Sequence, residues 1–447
     1  MLCLLLALPV AAQKKTFTVA SLNVDGLPPT VKAAGIVDVK LNKEGPQAAG
    51  TAEMSTLISQ KGWDFFGVSE NFNYNTELMS EIGGVYKCGT YRGEIPSKVT
   101  NVVPYLNGSK WFETDGLNLL WRSNISVSGE EWYLWNKRNG ITEDGADQLI
   151  AKGYRYYMVR VAPGLEVDVY ILHMDAETSD ADNQAREIQM AQLVDKILAS
   201  DNKRPIIVMG DTNCRYTRDR IKELMFDRIN ADERFTMHDP WIDFKREGVY
   251  PSVGDPAIMV PGKYDGTNEE AFQTGEVVDK VFYIENADAR GVTLKALSYK
   301  QDVEFTRANG TSISDHYPIV VEFEIENVGQ ALTGGEYYLR NVETGKYING
   351  GGWWDTHAVM LDYGKPFTLI PSDSGESDFI LKSSYGYPDR DDVYLDKGED
   401  IQKIWTLRKV DGESAYYFTY TDGETLKALG LDDDKFYVCL LYTSDAA

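Results

Sequence analysis

The chain has 447 residues, 43% of them hydrophobic and 26% charged, with a formal net charge of −24 and a pI of about 4.6. That length holds two or three domains, or one large domain with an appendage, and the composition is that of a globular protein. The acidic balance disfavours nucleic acid as a partner, because such binding relies on Lys and Arg neutralising phosphates; a divalent cation is attracted, and a zwitterionic headgroup meets less opposition.

The N-terminal stretch "MLCLLLALPVAAQKK" is an apolar run that ends in small residues and then turns charged. It has the form of a secretory signal peptide cleaved near Ala12, although no Lys or Arg precedes it. Residues 1–13 are therefore expected to be a signal, and the protein to be secreted or periplasmic. The run is too short to span a bilayer. Cys3 would leave with it, and Cys88, Cys214 and Cys439 do not amount to a disulfide framework.

From Phe17 to Glu326, short strands rich in Val, Ile, Tyr and Phe alternate with helical or loop segments. The strands are "FTVASLNV", "WDFFGVSE", "GLNLLWR", "YRYYMVRVA", "VDVYILHMD", "PIIVMGDTN", "DKVFYI" and "PIVVEFEI". "GTAEMSTLISQKG" reads as a helix that stops at Gly62. "NQAREIQMAQLVDKILAS" reads as a second helix with Ile188, Ala191, Val194 and Ile197 on its apolar face. The acidic run Asp175 to Asn183 lacks the spacing and central Gly of an EF-hand and suits a helix N-terminus. Tyr250 to Glu276, rich in Gly, Pro and acid, reads as a long surface loop. The pattern is that of an α+β sandwich. The aromatic run "EEWYLW", ending at Trp135, suits either a core strand or an exposed hairpin at a lipid interface.

After about Val328 the helical signal fades. Aromatic strands followed by Gly-containing turns recur with a period of roughly 40 residues, the mark of a repeat-built β domain. "YYLRNVETGKYING" resembles a strand pair of a ricin-type β-trefoil, so residues 333–447 are expected to form an all-β, trefoil-like accessory domain. Trp353 and Trp354 in "GGWWD" are its candidates for sugar or lipid contact. The tail "VCLLYTSDAA" carries no turn or polar terminus and is left uninterpreted.

The polar residues at strand ends carry the chemistry. Asn23 follows the first strand, Glu70 ends the second, and His173 and Asp175 end "VDVYIL". Asp211 and Asn213 end "PIIVMG"; Asp279 precedes "KVFYI"; Asp315 and His316 precede "PIVVEF". One such residue is ordinarily a cap; six strands presenting them point to one cleft. Hydrolysis of a phosphate ester needs a hard cation on the phosphoryl oxygens, and Glu70 backed by Asn23 suits Mg²⁺. It also needs a base for water, for which His316 paired with Asp279 is suited, and donors for the developing charge, for which Asn213 and His173 are suited. His238 and His357 have no such surroundings and receive no role.

Taken in order, "SLNVDGLP", "GVSENF", "ILHMDAE", "MGDTNCR", "VVDKVFYI" and "ISDHYPIVV" resemble the endonuclease/exonuclease/phosphatase superfamily across residues 16–327. The resemblance implies a DNase I-like, four-layer α/β/β/α sandwich. It implies Mg²⁺ (with Mn²⁺ or Ca²⁺ as alternatives) at Glu70 and Asn23, with Asp315 near the metal or His316. It implies a phosphate-orienting pair at Asp211 and Asn213, a base at His316 and its orienting carboxylate at Asp279. "DQLIAKGYRYYMVRV", with Lys152 and Gly153, and "HMDAE" resemble segments of bacterial neutral sphingomyelinases, although Met174 and Asp175 depart from the usual pair. That resemblance implies hydrolysis of sphingomyelin to ceramide and phosphocholine, with His173, Asn213 and Asp175 on the phosphate side. A secreted nuclease, a sugar- or inositol-phosphate phosphatase and a non-catalytic glycan-binding protein are the alternatives.

Overall fold

The computed structural model describes residues 13–27, 30–33, 37–40, 45–91, 114–140, 147–148, 150–162, 164–289, 291–327, 335–341, 344–350, 356–375, 378–390, 393–398, 403–409, 416–423, 425–432 and 435–440. Chain contacts divide it into two compact units, one built from residues 15–326 and one from residues 327 onward together with the chain up to Lys14. Of the expected signal segment, residues 1–13, all but Gln13 lie outside the described residues, as do Trp353 and Trp354. Among the described residues no helix is long and apolar enough to cross a membrane.

In chain order the first unit's strands are β1 (Gln13–Asn23), β2 (Thr30–Ala33), β3 (Val37–Lys40), β4 (Phe65–Ser69), β5 (Tyr86–Cys88), β6 (Asn118–Arg122) and β7 (Ser126–Leu134). There follow β8 (Gly153–Ala162), β9 (Leu165–His173), β10 (Ile206–Asp211), β11 (Phe235–His238), β12 (Asp279–Asn286), β13 (Val292–Gln301) and β14 (Ile319–Asn327). One six-stranded sheet runs β13-β14-β1-β4-β6-β5, a second runs β11-β12-β10-β9-β8-β7, and β2 pairs with β3 alone. β4 ("FFGVS") and β10 ("IIVMGD") are buried at every residue. Such continuous apolar runs suit central strands covered on both faces.

The two sheets pack face to face around one core, in which Phe17, Val19, Phe65 and Leu119 meet Val169, Ile171, Met209 and Phe282. Gly67 in β4 makes that approach close: a side chain there would press on Ile171 at 3.2 Å and Met209 at 3.3 Å. Helix Gln47–Lys61 covers the other face of the first sheet, placing Met54 and Ile58 against Ala20, Leu22, Phe66 and Val68. It ends at Gly62, whose φ of 74° is the left-handed cap conformation that glycine adopts without strain. Helix Asp180–Leu198 covers the second sheet with Met190, Leu193, Val194 and Ile197. The result is the expected four-layer α/β/β/α sandwich, DNase I-like in architecture.

Two details differ from the sequence reading. The buried face of helix Asp180–Leu198 comprises Asp182, Ala185, Arg186, Gln189, Met190, Leu193, Val194 and Ile197, while Ile188 is 40% exposed. Apolar periodicity set the phase wrongly because Arg186 and Gln189 face inward, where buried carboxylates and carbonyls receive them. The loop Tyr250 to Glu276 holds a short helix, Glu269–Thr274, anchored by Phe272. The acidic run is a helix start, as expected: Ser179 and Asp182 form a reciprocal capping box.

The second unit contains β15 (Gly335–Tyr338), β16 (Tyr347–Gly350), β17 (Ala358–Leu361), β18 (Pro366–Pro371), β19 (Asp378–Lys382), β20 (Ile404–Lys409), β21 (Tyr416–Asp422), β22 (Thr425–Asp432) and β23 (Lys435–Leu440). They form one sheet in the order β15-β18-β19-β20-β21-β22-β23-β17-β16. Each pairing with a recorded register is antiparallel. Phe367, Leu369, Phe379, Leu381, Trp405 and Leu407 fill its core.

Candidate active site

Strand pairing brings the polar strand ends together. Parallel β1 and β4 set Asn23 opposite Ser69, one residue before Glu70. Parallel β9 and β10 set His173 opposite Asp211, and antiparallel β12 sets Asp279 opposite the same Asp211. His316 arrives on the segment before β14 and places Nδ1 2.5 Å from Asp279 Oδ2. The Ser314 hydroxyl ties that segment to the Asn23 carbonyl at 2.9 Å.

Two groups of ligand-type atoms result, each within 4.8 Å and sharing Asp211: Glu70 with His173 and Asp211, and Asp211 with Asp279 and His316. Asn23 Nδ2 donates to Glu70 Oε1 at 2.9 Å and to Asp211 Oδ2 at 3.1 Å. Its Oδ1 accepts the Asp25 N–H at 2.9 Å. Asn23 therefore supports the two carboxylates with its NH₂ group, where an oxygen ligand was expected. Asp315 was also expected at the metal. Its side chain is 71% exposed and its Oδ1 lies 3.8 Å from His316 Nε2, so it flanks the base at the rim, outside both ligand groups. His173, expected among the donors, has Nε2 3.8 Å from Glu70 Oε1 and 3.7 Å from Asp211 Oδ2.

Asn213 adopts a left-handed φ of 51°, and Glu70 one of 58°. Such conformations carry strain and cluster at functional sites. Asn213 is held by its own N–H to Asp211 Oδ1 at 2.9 Å and by Nδ2 to the Met174 carbonyl at 3.1 Å.

Asp175 is corrected. It is fully buried, with Oδ2 accepting the Asn139 N–H at 2.5 Å and Oδ1 accepting Gln189 Nε2 at 2.6 Å. Both oxygens are committed to the protein, so Asp175 anchors the wall behind the site and does not face a substrate. Burial, with Asp147 nearby, pushes its pKa up to about 6. Lys152, in the "IAKG" stretch, is 3% exposed, pairs with Asp147 at 2.5 Å and donates to the Met174 carbonyl at 3.2 Å.

Electrostatics separates the two histidines. Burial, reinforced by Lys152, holds His173 well below the ordinary histidine pKa, so it is a neutral imidazole. Burial would lower His316 as well, but the bonded Asp279 carboxylate outweighs it and raises His316 well above that value. Burial also raises the Glu70 pKa. Asp211 stays below the ordinary carboxylate value, because the charges of His316 and Lys152 and the Asn213 N–H outweigh the cost of burying it.

Three features had no usable signal in the sequence. Trp135 is 1% exposed and donates Nε1–H to the His173 carbonyl at 2.7 Å, which decides for the core reading of "EEWYLW" at that residue. Asp147 and Arg186 are buried charges behind the site. Arg186 pairs with Asp219 at 3.1 Å and donates to the carbonyls of Asp175, Ala176 and Glu177. Arg186 meets Asp219 33 residues on, and Asp147 accepts the Ala176 N–H 29 residues on, so the tertiary fold sets these contacts.

A two-sheet sandwich with carboxylates and imidazoles at one edge can hold a hard cation, orient a water molecule and receive its proton. That is the equipment of a metal-assisted phosphoester hydrolase. Residues 139–322 match the profile of Endonuclease/Exonuclease/phosphatase family 2. Over 212 residues, 47% of this chain, it is 30% identical to a protein named sphingomyelinase from Mycobacterium tuberculosis and equally to one from Mycobacterium bovis. The match spans 37% of those relatives' own length, little more than a third. Among solved structures, SmcL is 18% identical with a TM-score of 0.43, covering 69% of this chain and 98% of its own. Staphylococcus aureus beta toxin with bound magnesium ions is 16% identical with a TM-score of 0.41, covering 69% and 99%. D. rerio TDP2 with a single strand DNA product is 15% identical with a TM-score of 0.43, covering 69% and 99%.

Proposed function

We propose that the protein is a secreted, divalent-cation-dependent phosphodiesterase that hydrolyses sphingomyelin to ceramide and phosphocholine. The observation that carries the reading is the single cluster formed by Glu70, His173 and Asp211 with the Asp279–His316 pair. The 30% identity to proteins named sphingomyelinase supports the choice of substrate.

The donor set fits Mg²⁺. Glu70 Oε1 and Asp211 Oδ2 are hard carboxylate oxygens sharing one amide donor, and Mg²⁺ is usually held by one or two carboxylates. Bound there, the cation would withdraw charge from the phosphoryl oxygens. This chain's residues do the rest. His316, in its neutral form and oriented through Nδ1 by Asp279, takes a proton from water at Nε2. The water oxygen bonds to phosphorus, the bond from phosphorus to the ceramide oxygen breaks, and that oxygen takes a proton from solvent. The remaining Nδ2–H of Asn213 and neutral His173 stabilise the added phosphoryl charge.

A lipid partner is further supported by the loop after Tyr250. Val253 is 56% exposed and Met259 57% exposed. Arg215, two residues past Asn213, reaches the Met259 sulfur at 2.7 Å, and the Gly254 N–H donates to the Thr217 carbonyl at 3.0 Å. Apolar side chains thus stand in water on a loop tied to the turn that follows Asn213. For the second unit we propose a trefoil-like accessory domain making glycan or membrane contact. The antiparallel run β18 to β23 and the β16–β17 hairpin support the all-β part of this reading.

The test is turnover of sphingomyelin, phosphatidylcholine, inositol phosphates and plasmid DNA, each with Mg²⁺ and with a chelator. Release of phosphocholine from sphingomyelin, abolished by the chelator, is expected. Plasmid cleavage without lipid turnover would replace this reading with that of a nuclease.

A further inference from the structure

His173 poses a problem of orientation. A histidine that works at a metal or phosphate site is ordinarily aimed by a hydrogen bond on its second ring nitrogen. Here Nδ1 is buried and has no hydrogen-bond partner among the described residues. The ring's aim must therefore come from the backbone that carries it.

That backbone sits where a strand ladder ends. β8 and β9 pair up to Tyr154 opposite Leu172, the last recorded pair before His173. The next two residues are held from several sides. The Met174 N–H donates to the Asp211 carbonyl at 2.9 Å, the Met174 carbonyl accepts from Lys152 and Asn213, and the Asp175 N–H donates to Gln189 Oε1 at 3.0 Å. At His173 the carbonyl instead accepts the indole N–H of Trp135 at 2.7 Å. Trp135 is itself fixed. Its N–H donates to the Lys152 carbonyl at 3.2 Å, and its ring packs on Tyr154 with centroids 4.9 Å apart.

We propose that Trp135 is a positioning residue. Its indole N–H takes the place of a ladder partner at His173 and so aims His173 Nε2 at the Glu70 and Asp211 carboxylates. This inference rests on the reading of that cluster as the active centre.

The test is a double-mutant cycle in the full chain with Mg²⁺, using a soluble phosphocholine ester so that membrane contact plays no part. Trp135→Phe is expected to lower kcat about tenfold or more, as loss of a partner that orients a ligand does, with KM little changed. In a His173→Ala background the same substitution is expected to cost nothing further, because there is no imidazole left to aim. Replacing Trp135 site-specifically with benzothienylalanine keeps the ring shape and removes only the N–H, so it reads the hydrogen bond even if Trp135→Phe folds poorly. Equal losses in both backgrounds would mean that Trp135 acts on stability alone, and the inference falls. So it does if the benzothienylalanine protein keeps full kcat. If His173→Ala itself keeps full activity, the reading of the cluster falls along with it, and that single variant separates the two failures.

Discussion

At the scale of single residues, the Asp279–His316 pair and the histidine opposite it divide the work. Asp279 is 3% exposed, and its Oδ2 fixes the ring of His316 through Nδ1, leaving Nε2 as the basic nitrogen. His316→Ala should therefore lower kcat by about 10²–10⁴ without unfolding the chain, and Asp279→Asn should lower it by a smaller factor, measured with a soluble phosphodiester. A melting curve matching the parent's together with undiminished turnover would remove His316 from the mechanism. A second buried carboxyl, Asp239, bears on stability. It accepts the Tyr216 hydroxyl at 2.8 Å and the Trp241 N–H at 2.8 Å, and burial pushes its pKa up to about 6. A carboxyl raised on folding favours the folded state while protonated. Its contribution is complete below about pH 3.9, the unfolded value, and is lost as pH rises through 6, a change of about 3 kcal/mol. Asp239→Asn should gain on the parent by up to that amount between pH 4 and pH 7, in paired denaturation curves at each pH. A constant difference across that range would show that Asp239 does not titrate there.

At the scale of elements, helix Asp180–Leu198 shows what was legible and what was not. Its existence, its capped start and the inward Val194 and Ile197 follow from local pattern. Its phase does not, because Gln189 holds Asp175 and Arg186 holds the turn after β9, and those partners are set by the tertiary fold. The observed phase makes opposite predictions for two neighbouring apolar residues. Leu193→Ala should cost about 2–5 kcal/mol, since Leu193 is fully buried in the sandwich core. Ile188→Gln should stay within about 0.5 kcal/mol, since Ile188 stands in solvent. Urea denaturation of the two variants decides the phase, and the reverse order would restore the sequence reading. The same division runs through the site. Strand-end acids, amides and imidazoles were legible because a polar group closing a buried strand breaks the local pattern. Which of them share a ligand group was not, because that depends on the register of β9 and β12 against β10.

At the scale of the whole molecule, the chemistry is confined to one unit. Asn23, Glu70, His173, Asp211, Asn213, Asp279 and His316 all lie between residues 15 and 326, within a sandwich whose core is its own. The second unit has a separate core around Phe367, Phe379 and Trp405. A domain with its own core is in principle able to fold alone, and a site supported wholly from within one unit needs nothing from the other to assemble. Residues 13–327 expressed alone should therefore turn over a soluble phosphocholine ester with a kcat within about threefold of the full chain, a change in barrier well under 1.4 kcal/mol. If the second unit serves contact with a surface, as proposed, its loss should appear on sphingomyelin vesicles instead, as slower hydrolysis at low lipid that recovers as lipid is raised. Measuring both substrates on both proteins separates the roles. Equal loss on the soluble ester and on vesicles would mean that the second unit completes the catalytic site, against the confinement of every proposed catalytic group to the first.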